Sequence, residues 1–380
     1  MSVELQTQED PLRVIHIFRA PLGGLFRHVC DLIHGQKKIG LSLGLLCDVT
    51  TGDEHADSIL NELAPLCTLG VHRIPMSRRP GWSDVTTLSR INRICTDLSP
   101  DIVHGHGAKG GAYARLVAQR SGAKSIYTPH GGSLHYSAKS PIGFIYLSLE
   151  RILQHRTGGL IFESQFGAQT YRDKIGAISC SYKVIHNGLH DSEFSPVLPD
   201  TNARDFVFVG ELRKLKGLET LLQAVHKLRA RRNISLLIAG TGPDAGFLQR
   251  RIAELDLGGC ITLSPAIFPA TRAFSQGRCI IIPSLAESFP YIVLEAAAAK
   301  MPILATNVGG IPEIFGPYKE CLLPPGDPVA LAQAMEKVLD AAEQAMEFAE
   351  SLQAYVKENF SASVMLSEIL QFYREVLKVC

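Results

Sequence analysis

Short apolar runs alternate with amphipathic stretches along most of this chain. In the first half, Arg13–Phe18, Leu43–Cys47, Asp101–Gly105, Lys124–Pro129, Gly159–Glu163 and Tyr182–His186 read as strands. A second series follows the polar, proline-bearing stretch from His190 to Asp205: Phe206–Gly210, Ile234–Gly240, Ile261–Leu263, Arg278–Pro283, Pro302–Thr306 and Cys321–Leu323. Parallel strands covered on both faces read as continuous apolar runs with helices between them. Two such series predict an α/β protein of two Rossmann-like domains, over 1–195 and 204–360, with parallel sheets facing across a cleft. Ligands of such sheets bind beyond the carboxyl ends of the strands, so the loops there are where chemistry is expected. A last amphipathic helix, roughly Ser361 to Val379, carries the stripe Leu366, Ile369, Leu370, Tyr373 and Val376.

Composition narrows the class. The 380 residues are enough for two α/β domains with their own cores. A formal net charge of +1 lacks the basic excess of a nucleic-acid binder. The nine cysteines are scattered, with no Cys-x-x-Cys pair, which argues for reduced thiols in a cytoplasmic setting and against a disulfide framework or a zinc site. Met1 to Asp10 is polar and acidic, unlike a signal peptide, and no segment reaches the roughly 18 consecutive apolar residues of a membrane span. The sequence shows no Asp-x-Asp motif and no clustered His, Cys or Asp ligands, so no metal and no cofactor are expected.

The richest stretch is Glu287-Ser-Phe-Pro-Tyr-Ile-Val-Leu-Glu295, which leaves an apolar strand, crosses a turn and enters an alanine-rich helix. Pro290 suits the first helical position, where its missing N–H costs nothing. The N–H groups of Tyr291, Ile292 and Val293 would then open an anion site flanked by two carboxylates, which suits a sugar nucleotide. The spacing Glu-x7-Glu after a buried strand, continued through residues 299–313 to Val308-Gly-Gly-Ile-Pro-Glu313, resembles the retaining glycosyltransferases of family four, the glycosyl transferases group 1. That resemblance implies the GT-B architecture, with the last helix crossing back onto the N-terminal domain and the glycine loop facing the donor. It also implies transfer of a hexose from a nucleoside diphosphate sugar to a hydroxyl acceptor, without a metal.

The same resemblance extends to other segments. Gly23-Gly24 after the first strand is similar to the family's loop that meets donor phosphate and acceptor, with His28 one turn further on the acceptor side. His106, in Asp101-Ile-Val-His-Gly-His-Gly107, resembles a strand-end histidine near substrate. His130, in Thr128-Pro-His-Gly-Gly132, resembles the histidine of the Thr-x-His motif beside donor sugar and acceptor; imidazole can donate or accept there. Glu150 also matches and reads as structural support. In the second domain, Phe206 to Gly217 is similar to the family's strand, glycine loop at Gly210 and Lys-Gly helix start, with Lys216 in register for the diphosphate. Glu211 stands where the family has an arginine, and Arg213 is the candidate second cation. Gly240, in Ala239-Gly-Thr-Gly-Pro-Asp244, resembles the turn near the nucleotide base. His186-Asn-Gly-Leu-His190 reads as a hinge turn.

In this reading Glu295 holds the ribose hydroxyls, Glu287 the donor sugar, and Lys216, Arg213 and the helix start stabilise the leaving diphosphate. The resemblance suggests bacterial surface-polysaccharide or glycolipid assembly, with an acceptor that is lipid-linked in some such systems. Arg73, Arg78, Arg79, Arg90 and Arg93 around Trp82, the only tryptophan, suit contact with the inner face of an anionic membrane, and equally suit a solvated helix and loop. Two alternatives share the diphosphate site: a nucleotide-sugar epimerase of the same fold, and a non-catalytic sugar-nucleotide binding or scaffold protein, to which Glu211 lends weight.

Overall fold

The computed structural model describes residues 11–378; the Met1 to Asp10 stretch, Val379 and Cys380 lie outside the described residues. The chain divides into two compact units. One runs from the start of the described chain to Phe162 and adds Thr170–Ile185 and the segment from Leu366 onward. The other comprises Glu163–Gln169 and His186–Met365, so the stretch from His190 to Asp205 belongs wholly to the second unit. Within that unit the Val197 and Asp200 N–H groups donate to the carbonyls of Ala299 and Ser275.

The first unit is built on seven parallel strands: β1 (Arg13–Ile17), β2 (Ser42–Cys47), β3 (Val71–Arg73), β4 (Ile102–His106), β5 (Lys124–Thr128), β6 (Gly159–Phe162) and β7 (Ser181–Val184), in the order 3-2-1-4-5-6-7. β3 was not foreseen. It has one apolar residue in three, Val71-His-Arg73, and lies at the sheet edge, where less apolar surface is needed. The second unit holds β8 (Arg204–Val209), β9 (Leu236–Ala239), β10 (Ile261–Ser264), β11 (Gly277–Ile282) and β12 (Ile303–Ala305), in the order 10-9-8-11-12. Cys321–Leu323, expected as a strand, is instead the end of a short 3-10 turn and one bridge between Leu323 and Thr306. Pro324 and Pro325 follow, and residues without an N–H cannot extend a ladder.

Helices pack against both sheets, and the interior strands are buried accordingly: all five residues of β4 and all four of β6 and β9 are buried. In both sheets the strand order reverses at one place, between β1 and β4 and between β8 and β11. The loops leaving those strand pairs diverge to opposite sides, which opens a crevice at the carboxyl edge. Both groups of candidate residues sit at these switch points.

Candidate active site

The crevice of the second unit is lined by the loops after β8 and β11. Glu287 is buried, and its Oε1 accepts from Lys216 Nζ and from Ser284 Oγ, each at 2.6 Å. The two candidates read separately from the sequence are thus one ion pair, with Ser284 as a third member that sequence reasoning missed. Two contacts hold this turn in place. Thr306 Oγ1 donates to the Ser284 carbonyl at 2.6 Å, and Gly310 N–H to the Ser288 carbonyl at 2.6 Å. Gly309 adopts φ +60°, and a Cβ there would collide with the backbone of Glu287. The glycine loop therefore buttresses the Glu287 turn from behind, whatever it presents to a ligand.

Further support comes from residues read only as a hinge. Asn187 is buried, and its Nδ2 donates to Glu163 at 2.9 Å and to the Phe289 carbonyl at 3.0 Å, while Ser288 Oγ donates to Glu163 at 3.1 Å. Glu313, at the end of the long motif, accepts from the Gln165 and Phe166 N–H groups and from His186 Nε2, all at 2.9 Å. Burial raises its carboxyl pKa, but the hydrogen bonds from His186, Phe166 and Gln165 outweigh that and hold it below the ordinary value.

The helix after the turn runs Tyr291–Ala298, with Pro290 as its N-cap and not its first residue. The Val293 N–H donates to the Pro290 carbonyl at 3.2 Å, so the expected anion site has one donor fewer than its sequence suggests. Glu295 is half-buried on this helix, flanked by buried Leu294 and Ala296. Gly210 and Gly240 end the neighbouring strands, and a Cβ on Gly240 would strike the Gly210 carbonyl, so close packing of the two loops already requires that glycine. Arg213 does not join Lys216: its Nη1 lies 3.4 Å from Glu211 Oε2, both side chains substantially exposed.

In the first unit the strand pairing assembles a histidine cluster from separate segments of the chain, which corrects the expectation of no clustered ligands. His104 and His106 are two apart on β4 and so share a face, and His16 on β1 is the register partner of His104. His28, on the helix Gly23–Lys38, and His130, just past β5, complete the group. Gln36 Nε2 donates to Tyr373 Oη at 3.3 Å, so Gln36 Oε1 is the acceptor facing His16 Nε2 at 2.9 Å. That sets the donor order along the chain: His16 Nδ1 accepts from His106 Nε2 at 3.0 Å, and His106 Nδ1 accepts from His130 Nε2 at 3.1 Å. His104 is satisfied separately, by Tyr373 Oη at 2.6 Å and Thr128 Oγ1 at 2.8 Å. Burial disfavours the charged form of His16, His104 and His106. It pushes His16 down to about 4 against the Gln36 hydrogen bond, and takes His104 and His106 well below the ordinary value, with neighbouring histidines adding to it.

His130 itself has φ +50°, a left-handed conformation that costs a residue with a side chain roughly 1 kcal/mol or more. The loop that imposes it is anchored next door. Ser133 Oγ and Tyr127 Oη donate to Glu150 Oε1 at 2.8 and 2.9 Å, and Glu150 Oε2 pairs with buried Arg115 at 2.8 Å. Gly23 opens its helix at φ +64° with clear space where a Cβ would be, beside exposed Gly24.

Residues 191–355 match the family model of glycosyl transferases group 1, and residues 22–193 that of glycosyltransferase family 4. The chain is 25% identical over 349 residues to the D-inositol 3-phosphate glycosyltransferase of Pseudarthrobacter chlorophenolicus, covering 84% of this chain and 82% of the relative. Its fold is similar to that of Anabaena HepE in complex with UDP and glucose, with a TM-score of 0.80 at 14% identity over 96% of this chain and 100% of that one. It is also similar to WaaG, a glycosyltransferase involved in lipopolysaccharide biosynthesis, with a TM-score of 0.72 at 14% identity over 95% of this chain and 99% of that one. Two family models that between them run from residue 22 to residue 355, over two Rossmann-like halves, place this chain among the group 1 glycosyltransferases of family four, enzymes of GT-B fold.

Proposed function

We propose that this glycosyltransferase moves a hexose from a nucleoside diphosphate sugar to a hydroxyl acceptor, with retention of configuration. The observation that carries the reading is the Glu287–Lys216–Ser284 group at the switch point of the five-stranded sheet, next to a helix start. As the glycosidic bond breaks, charge grows on the leaving diphosphate, and fixed donors aimed at it are commonly the largest catalytic term. Lys216 supplies a mobile ammonium, Arg213 a planar second cation, and the N–H groups of Tyr291 and Ile292 add to them; no metal is assigned to the diphosphate. Val293 has a lesser part, its N–H being engaged. Glu287, released from Lys216, receives sugar hydroxyls, and Glu295 those of the ribose, with Gly210 and Gly240 shaping the nucleotide side. In the first unit Gly23 and Gly24 allow close approach of a ligand, and His130, His28 and His106 are the residues assigned to the sugar and acceptor there.

A UDP and glucose complex of HepE and the role of WaaG in lipopolysaccharide assembly support a nucleotide-sugar donor and a surface-polysaccharide or glycolipid product. Such acceptors are often lipid-linked, and among the described residues no helix is long and apolar enough to cross a membrane. Contact with the membrane surface then falls to Arg78, Arg79 and Trp82 and to the helix Pro141–Gln154 beside them, whose Ile142, Phe144, Ile145 and Ile152 are exposed.

A thermal-shift screen of UDP, GDP, ADP and their sugars tests the donor. A ligand at a hundredfold excess over its Kd adds about 2.7 kcal/mol of stability. One nucleotide series is expected to stabilise, and its sugar to be transferred with the anomeric configuration kept, as read by NMR of the product. An inverted product, or a sugar isomerised with no acceptor present, overturns the reading; binding without transfer across many acceptors favours a scaffold.

A further inference from the structure

We infer that His28, His106 and His130 form a site for one divalent transition-metal ion of the zinc class, distinct from the diphosphate site of the second unit. Each residue offers a ring nitrogen, and the three nitrogens lie within 4.8 Å of one another. The rings themselves are spaced for it. With metal–nitrogen distances of about 2.0–2.1 Å and tetrahedral angles, three imidazole centroids stand about 5.2 Å apart. Here the His28–His130, His106–His130 and His28–His106 separations are 5.0, 5.3 and 5.7 Å. The neighbouring trio His16, His104 and His106 fails the same comparison, because His104 and His106 are only 4.0 Å apart. Both nitrogens of His104 are, besides, already taken by Tyr373 and Thr128.

The groups behind His106 are those a ligating histidine needs. A metal-bound imidazole donates its other N–H to a fixed acceptor, which sets the tautomer and the ring plane. His106 Nε2–H points at His16 Nδ1, and His16 Nε2–H at Gln36 Oε1, so the lone pair of His106 Nδ1 is turned toward His130 and away from the core. Without metal that lone pair accepts from His130 Nε2–H. Metal binding replaces this hydrogen bond, and the His130 proton moves to its other ring nitrogen. His28 and His106 are buried and His130 only partly so, which leaves the fourth coordination position on the solvent side. Three neutral ligands leave the ion its full charge, so that position favours hydroxide or an oxyanion over a neutral group.

The test is a cobalt(II) titration of the full chain without an affinity tag, read by the visible absorption of tetrahedral Co2+ and by metal analysis after dialysis. One equivalent per chain is expected, displaced by Zn2+. His28→Gln and His130→Gln should each weaken it by at least roughly a hundredfold, and Gln36→Leu, which touches no ligand, by roughly ten- to a hundredfold. His34→Gln, an exposed histidine on the same helix as His28, should leave it unchanged. No stoichiometric ion in the parent protein overturns the inference without recourse to any variant, as does uptake that survives both ligand substitutions. Nucleotide binding measured on the same chelated sample should persist, so that failure here and failure of the donor reading are told apart.

Discussion

At the residue scale the candidate site holds two ion pairs, Lys216–Glu287 and Arg213–Glu211. The Arg213–Glu211 contact is long, at 3.4 Å, and both side chains are exposed. Such a pair contributes roughly 0–1 kcal/mol, so Arg213 can leave Glu211 for a diphosphate at small cost. Lys216 sits closer, at 2.6 Å from a buried carboxylate, and under the proposed function its transfer to phosphate would free Glu287 for sugar hydroxyls. Arg213→Ala and Lys216→Ala are each expected to cut transfer by about a hundredfold, the scale of losing one transition-state donor, and Glu211→Gln to be mild. Initial rates at saturating donor decide it: a neutral Arg213→Ala beside a crippling Glu211→Gln reverses the assignment. Glu287 and Lys216 were singled out individually because each sits in a long local motif. Their pairing was not, since it joins residues 71 apart in sequence. The histidine cluster was hidden for the same reason: the contact of His16 with His106 exists only because β4 pairs with β1. The one local signal was His-x-His on a strand, which puts both rings on one face.

At the scale of elements, buried strands were legible wherever a sheet interior demands a continuous apolar run, and illegible where it does not. β3, with His72 and Arg73, and the Leu322–Leu323 pair ahead of two prolines mislead in opposite directions. Helix starts were harder, because a cap depends on what reaches it from elsewhere. The helix Gln165–Lys174 begins with two N–H groups bound by Glu313, 148 and 147 residues away. Charge-assisted bonds of this kind are worth about 1.5–3 kcal/mol, and the helix start favours the negative charge. Because its folded pKa lies below the ordinary 4.5, the stability Glu313 supplies is present above that value and is lost as pH falls through the folded pKa. Denaturation midpoints should therefore separate the parent from Glu313→Gln by a constant amount near neutrality. The gap should close below about pH 4.5, and a gap that widens in acid instead would refute the capping role.

For the whole molecule, a net charge of +1 gives no general attraction to an anionic surface, so the proposed membrane contact rests on a local patch. The helix Pro141–Gln154 buries Gly143, Leu147, Glu150 and Leu153 and turns Ile142, Ile145, Leu149 and Ile152 outward, with Phe144 61% exposed beside them. Tyr146 Oη donates to the Arg78 carbonyl at 3.4 Å, which sets this apolar face next to exposed Arg78 and Arg79 and to Trp82, 93% exposed. Apolar side chains flanked by cations on one surface are what an interfacial contact uses, each cation adding about 1 kcal/mol near anionic lipid. Since Trp82 is the only tryptophan, its emission reports the contact directly. Vesicles containing anionic lipid should shift that emission to the blue and pellet the protein, and neutral vesicles should do so weakly. Arg78→Gln with Arg79→Gln should erase the preference for anionic lipid, whereas Phe144→Ser with Ile145→Ser should lower pelleting with both. If emission stays that of a water-exposed indole while the protein pellets, binding is through another surface; if neither changes, the acceptor is met in solution.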